Sequence, residues 1–193
     1  MAAILEAAAL LLEEEGFQAA STNAIAERAG VSIGSLYQYF TSREDIFRAL
    51  LKRHESEFHP LLETFGRNLL EEDADPAQLL IDLLSDILAV HADRPALMRA
   101  LEMELDPVRP SGEAEREDLM MEMGIRMIAA RLPGQPDAAL AKAWLAMVLF
   151  STVSRKWAHT PPAWVDLDCV KNGFAKAVRV ILGPGAESDL APT

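Results

Sequence analysis

The sequence predicts an all-α protein of about nine helices. Three observations carry that expectation. Apolar residues recur at spacings of three and four along nearly the whole chain. Glycine, proline and capping residues fall between those periodic segments. No run alternates apolar and polar residues as a half-buried strand must. At 193 residues the chain can bury roughly 70% of its unfolded surface, so no staple is required. The single cysteine, Cys169, excludes an intramolecular disulfide and a four-cysteine zinc site.

The elements follow in order. Ile4, Ala8, Leu11 and Leu12 share one face of a first helix closed by Gly16. Ser21-Thr22 cap a short second helix over Ala24 to Ala29, and Ser32 caps a third through Phe40 after the break at Gly30-Val31. Ser42 with Asp45 three residues on reads as a capping-box variant opening a fourth helix. That helix runs towards Phe58, and Pro60 is expected to kink or end it if the pattern resumes to about Glu72. Pro76 suits a first helical turn, with Leu79, Leu80, Leu83, Leu84, Ile87 and Leu88 as its stripe. Arg94-Pro95 begins a short helix to about Leu105, and Asp106 to Gly112 is a loop. Glu113 to Leu132, Asp137 to Trp157 and Asp166 to Leu182 complete the set, separated by proline-rich turns. The middle one is apolar nearly all round, which implies burial on more than one side.

Composition narrows the function. The longest unbroken apolar run, Ala143 to Phe150, is far short of a bilayer span. Met1 to Leu12 is a poor signal peptide, interrupted by Glu6 and followed by Glu13-Glu14-Glu15. The expectation is a cytoplasmic globular protein. Eighteen Lys and Arg against 30 Asp and Glu leave a net charge of −12, which opposes phosphate binding in general. Ser21 to Arg53 is the exception: Arg28, Arg43, Arg48, Lys52 and Arg53 outnumber Glu27, Glu44 and Asp45. Any DNA contact is expected within that window.

Ala29-Gly30-Val31-Ser32 joins two short helices as a helix-turn-helix. Leu36 and Phe40, four apart, face inward with Ile25 and Ala26. Ile33, Ser35, Tyr37, Gln38 and Tyr39 are left outside. The two tyrosines of the chain suit phosphate contacts that fix register on a duplex. Gly34 permits close approach, Gln38 can bond an adenine edge, and Ile33 can pack on a thymine methyl. Ser42-Arg43 offers a further phosphate site at a helix start.

Ile4-Leu5-Glu6-Ala7-Ala8, Glu15-Gly16-Phe17, Ile25 to Ser32 and Gly34-Ser35-Leu36-Tyr37-Gln38-Tyr39-Phe40 together closely resemble the TetR/AcrR family of bacterial transcriptional regulators. The resemblance covers about the first 55 residues in sequence and the remainder in helix layout. It implies a helix-turn-helix head over 1–46, a helical ligand-binding and dimerisation domain over 47–184, and a tail over 185–193 that is expected to be disordered. It further implies a homodimer, most simply a repressor, that binds double-stranded operator DNA and leaves it on binding a small-molecule inducer. By position, Thr22 and Arg28 would touch the backbone or groove edge. Ser32, Ile33, Gly34, Ser35 and Gln38 would form the reading face, and Tyr37, Tyr39 and Arg43 would hold phosphates. Two positions depart from the family pattern: basic residues usually precede the first helix, and Ile33 stands where a lysine or polar residue is common.

Other signals carry less. Gly30-Val31-Ser32-Ile33-Gly34 fits the serine-hydrolase elbow in letters, but no strand leads into it and Ser32 is accounted for as a cap. His54 and His59 are five apart, whereas ligation from one helical face needs four; a solvated helix end is the expectation. No catalytic set, cofactor or metal site is therefore expected, and a helical protein-interaction module is the alternative to a regulator. Cys169 is expected to be a small buried residue. Six of eight methionines lie between Met98 and Met127. Met98, Met103, Met120, Met121 and Met127, with Trp144, Met147 and Phe150, are candidates to line a pocket for a hydrophobic or aromatic ligand. Met123 lies in the same cluster. Leu167, Val170, Phe174, Val178 and Ile181, with Gly173 and Ala177 as a close-packing second face, are candidates for the dimer surface beside the helix from Asp137.

Overall fold

The computed structural model describes residues 1–94, 97, 113–159, 162 and 164–183. Among them are eight helices and no strand: α1 (Ala2–Glu15), α2 (Thr22–Arg28), α3 (Ile33–Tyr37), α4 (Arg43–Asn68), α5 (Pro76–Asp93), α6 (Glu113–Ala129), α7 (Pro136–His159) and α8 (Leu167–Leu182). The expected helix from Arg94, the loop to Gly112 and the tail from Gly185 fall largely or wholly outside the described residues.

Local chemistry sets the boundaries. α1 is built of strong helix formers and stops at Gly16, whose φ of 81° lies where a side chain is costly. The Ser21 hydroxyl accepts from the Ala24 amide at 3.2 Å and Ser32 from Ser35 at 3.0 Å, so both short helices have side-chain N-caps. Gly30, at φ 67°, makes the turn between them. Before α4, Ser42 accepts from the Asp45 amide at 3.1 Å, while the Asp45 carboxylate takes the Thr41 amide at 3.2 Å and the Thr41 hydroxyl. Those bonds, the Thr41 hydroxyl first, hold the Asp45 carboxyl below its usual range. Pro60 does not end α4, which continues to Asn68. The ring removes one backbone donor, and the turns on either side carry the helix past it.

The chain forms two compact units. Unit 1 comprises residues 1–58 and, of the later described residues, 91–94 and 97. Its core is one cluster in which Ile4, Ala8 and Leu12 of α1 meet Ile25, Leu36, Ile46 and Phe47. Phe17 closes on Phe47 with ring centroids 5.1 Å apart. Unit 2 holds 59–90 with the described residues from 113 onward. There α6 packs on α7 and α7 on α8. Gly124 sits against Met147, where an added Cβ would meet the methionine Cε at 3.1 Å. Phe150 of α7 faces Phe174 of α8 at 6.4 Å.

The stretch Pro136–Trp157 is long and apolar enough, by length and composition, to cross a bilayer. In the folded chain its Ala139, Ala143, Ala146, Met147 and Phe150 are buried, as expected of the central helix of a three-helix layer.

Candidate nucleic-acid interface

The α2–α3 pair separates its two sides sharply. Ile25, Ala26, Leu36 and Phe40 are buried, and they fix the angle of α3 through contacts that leave its other side free. That side exposes Ser32, Ile33, Gly34, Tyr37, Gln38 and Tyr39, with Ser35 half-buried. Tyr37 and Tyr39 are 51% and 58% exposed, a large aromatic surface that the chain's own core does not use. The hydroxyls pair along the face: Ser32 Oγ to Ser35 Oγ at 2.8 Å, and Thr22 Oγ1 to Tyr37 Oη at 3.4 Å. Thr22 begins α2 and Tyr37 ends α3, so this contact ties the two helices at the outward edge. A Cβ on Gly34 would have Ser32 Oγ as its nearest neighbour at 3.9 Å. The fold itself leaves room for a side chain there, and the open space lies towards whatever approaches.

The arginines behave differently from the sequence expectation. Arg28 does not project as a free backbone contact: Nη2 lies 2.7 Å from Glu14 Oε2 and Nη1 lies 3.9 Å from Glu15. It ties the end of α1 to α2. The Arg43 guanidinium lies 4.5 Å over the Phe17 ring, with Nη1 donating to the Phe17 carbonyl at 3.5 Å and Nε 3.5 Å from Glu44. Its position at the start of α4 is as expected, but the head is held onto an aromatic ring. Arg48 pairs with Asp45 and Arg53 with Glu6. Hydroxyl, amide and phenol groups thus dominate the outward face, with little free positive charge.

His54 corrects another expectation. It is buried rather than solvated, because four residues from Leu50 it shares the inward face of α4. Its Nδ1 lies 3.3 Å from Glu57 Oε2, and its ring stands edge-on to Phe58 at 4.8 Å and beside His91 at 5.5 Å. Desolvation lowers its pKa, against the pull of Glu57. His59 is exposed. Among the described residues no group of three or more His, Cys, Asp or Glu is placed to hold a metal.

In unit 2 the expected pocket residues are divided. Met147 and Phe150 are buried, Met121 and Met127 half-buried, whereas Met120 and Trp144 are 49% and 53% exposed. These two point away from the interior of the unit, as does Met123. Met98 and Met103 lie outside the described residues. On α8, Phe174 and Val178 are 4% and 0% exposed. They belong to the core of this chain, and their assignment to an interface gives way to that. Leu167, Val170, Ala177 and Ile181 are half-buried and Gly173 is exposed. Cys169 is exposed, not buried, because it lies across the helix from Phe174. Among the described residues α7 exposes Leu140, Trp144, Leu145 and Val148, a surface that sequence reasoning did not resolve; α6 also exposes Leu119, Met120 and Met123, and α8 exposes Val180. The signal on α7 was a helix apolar all round, which leaves open which side is the outer one.

Comparison with known proteins bears on both units. Residues 4–50 match the model of the bacterial regulatory proteins, tetR family. Over 190 residues the chain is 26% identical to the HTH-type transcriptional repressor KstR of Rhodococcus jostii, covering 95% of this chain and 82% of that protein. Among solved structures, a TetR-like transcriptional regulator from Rhodococcus sp. RHA1 superposes with a TM-score of 0.66 at 18% identity, over 94% of this chain and 95% of that one. The multidrug binding protein EbrR, solved with malachite green, gives 0.63 at 19% identity, over 94% and 96%. At such identities the two structures speak to the fold.

Proposed function

We propose that the chain, whose residues 4–50 match the tetR-family model, is a TetR-type transcriptional regulator that acts as a homodimer on a palindromic operator. The reading head is unit 1, which extends past residue 46 because Phe47, Leu50 and Leu97 share its core, and unit 2 binds the effector and the second protomer. The outward face of α3 carries this reading: its inner side is spent on Leu36, while Ser32, Ile33, Gly34, Tyr37 and Gln38 present neutral donors, acceptors and one apolar side chain to a groove. Two such helices would enter successive major grooves, about 34–36 Å apart. The exposed α7 residues Leu140, Trp144, Leu145 and Val148 supply the apolar patch that a partner α7 and α8 would cover.

The effector is a small hydrophobic or aromatic molecule, and the chain is a repressor that it releases. The mixed burial of Met121, Met127, Met147 and Phe150 supports an adaptable apolar lining. KstR is named a repressor, and the same fold holds malachite green in EbrR. A coupling of roughly 1–3 kcal/mol between effector and operator suffices for release.

Selection from a random double-stranded DNA pool at low salt tests the reading, with the wild type and Tyr37→Ala run side by side. An enriched palindrome that the variant loses is the expected outcome. No enrichment by the wild type would favour a helical protein-interaction module with an inactive head, a reading to which the internally paired arginines lend weight.

A further inference from the structure

Unit 1 contains a piece of chain from far downstream. Leu97 is buried in the same hydrophobic core as Ile25, Leu36 and Phe47. Three residues earlier, the Arg94 guanidinium grips α1. Its Nε and Nη2 donate to the two oxygens of Glu13 at 2.8 and 2.9 Å, and Nη1 lies 3.3 Å from Glu6. The other oxygen of Glu6 takes Arg53 of α4 at 3.2 Å. Glu6 and Glu13 are seven residues apart and so lie on one face of α1. The Arg94 and Glu13 side chains are 25% and 21% exposed, and the two-bond fork fixes direction as well as distance, which a lysine would not do. The next residue along, Glu14, is the one that holds Arg28 of α2. Adjacent carboxylates on α1 therefore bind the downstream segment on one side and the helix-turn-helix on the other.

We propose that Arg94 is a positioning residue for DNA reading: it clamps α1, and any displacement of Arg94 reaches α2 and α3 through the sequence Arg94, Glu13-Glu14, Arg28. The inference rests on the DNA-binding reading above and deepens it by naming where the rest of the chain takes hold of the head. Arg94 itself touches no DNA. α5 leads directly into the clamp along the chain, so a change in α5 has a covalent route to it.

The test compares Arg94→Met, Arg94→Lys, Glu13→Gln and the Arg94→Met/Glu13→Gln double variant in the full chain. One readout is amide hydrogen exchange without DNA. The other is affinity for the duplex selected by the wild type and for an unrelated duplex. Arg94→Met is expected to speed exchange in α1 to α3 while leaving α6 to α8 unchanged. It should weaken selected-duplex binding by about fivefold or more, the lower end of typical coupling, with unrelated-duplex binding unmoved. Arg94→Lys should restore part of the loss, and the double variant should be no worse than either single one. Unchanged exchange in α1 to α3 would overturn the clamp whether or not DNA is bound. Faster exchange with unaltered selected-duplex affinity would overturn the positioning role. If Arg94→Met does not fold, Arg94→Lys and Glu13→Gln decide by the same readouts. A wild type that selects no duplex would overturn the DNA reading and the part of Arg94 in it, while exchange alone would still report on the clamp.

Discussion

The two compact units are both helical, yet they hold their shapes by different means. In unit 1, short helices are fixed by side-chain caps at Ser21, Ser32 and Ser42, by glycines with positive φ at Gly16 and Gly30, and by ion pairs that knit α1 to its neighbours. In unit 2, long helices rely on apolar contact, with Gly124 of α6 against Met147 of α7, and an outer face still exposes Leu140, Trp144, Leu145 and Val148. A rigid head suits a surface that must match a duplex. An apolar, methionine-rich helical layer suits a surface that adapts to small molecules and to a second copy. The difference teaches where each role can be disturbed without disturbing the other.

The sharpest break is a cavity in the head. Leu36→Ala should remove about 2–5 kcal/mol from unit 1, because Leu36 has no exposed surface at all. DNA binding is expected to vanish while the helical signal of unit 2 and the dimer survive, which circular dichroism melts and sedimentation would show. Simultaneous loss of both units would mean that they do not fold separately. Next is the outer face of α7. Trp144→Ala is expected to weaken dimerisation by roughly 2 kcal/mol, about thirtyfold in dissociation constant, with the melting of the head unmoved. Sedimentation over a concentration series measures it.

The smallest effect is one of pH. His54 has a folded-state pKa below its usual 6.5, chiefly because burial disfavours its charged form. The unfolded chain then takes up the proton first. The stability contribution is present above about pH 6.5 and is lost as pH falls from there through the lower folded value. His54→Phe should flatten that slope in a pH series of denaturant melts of the full chain. An unaltered slope would assign it to other groups.

Legibility followed the same division. The helix-turn-helix was readable because its determinants are local: a serine cap acts three residues away, and a glycine at positive φ acts on itself. The burial of Leu36 and Phe40 and the exposure of Tyr37 and Tyr39 follow from helical spacing alone. What sequence did not resolve depends on distant partners. Arg28 reads as a free cation until Glu14 is folded beside it, and Arg43 until Phe17 comes beneath it. Nothing near Glu13 announces Arg94, 81 residues away. On α8 a continuous apolar face could serve a core or an interface equally well. Burial decides for the core at Phe174 and Val178, while exposed apolar side chains lie on α7 and, on α8 itself, at Val180. Cys169 and His54 exchanged their expected environments for the same reason: the inward side of a helix is set by what packs on it.

The central claim is that α3 reads base edges, and Gln38 tests it most directly. Its side chain is exposed at the C-cap of α3, clear of the core, so Gln38→Ala should leave the fold intact. Affinities of the wild type and this variant would be measured at one salt concentration for the selected palindrome and for every single-base-pair change within it. The expected result is relaxed discrimination, by about 1–3 kcal/mol, at one symmetry-related pair of positions and none elsewhere. Unchanged preference at every position would contradict the assignment of Gln38 to the reading face.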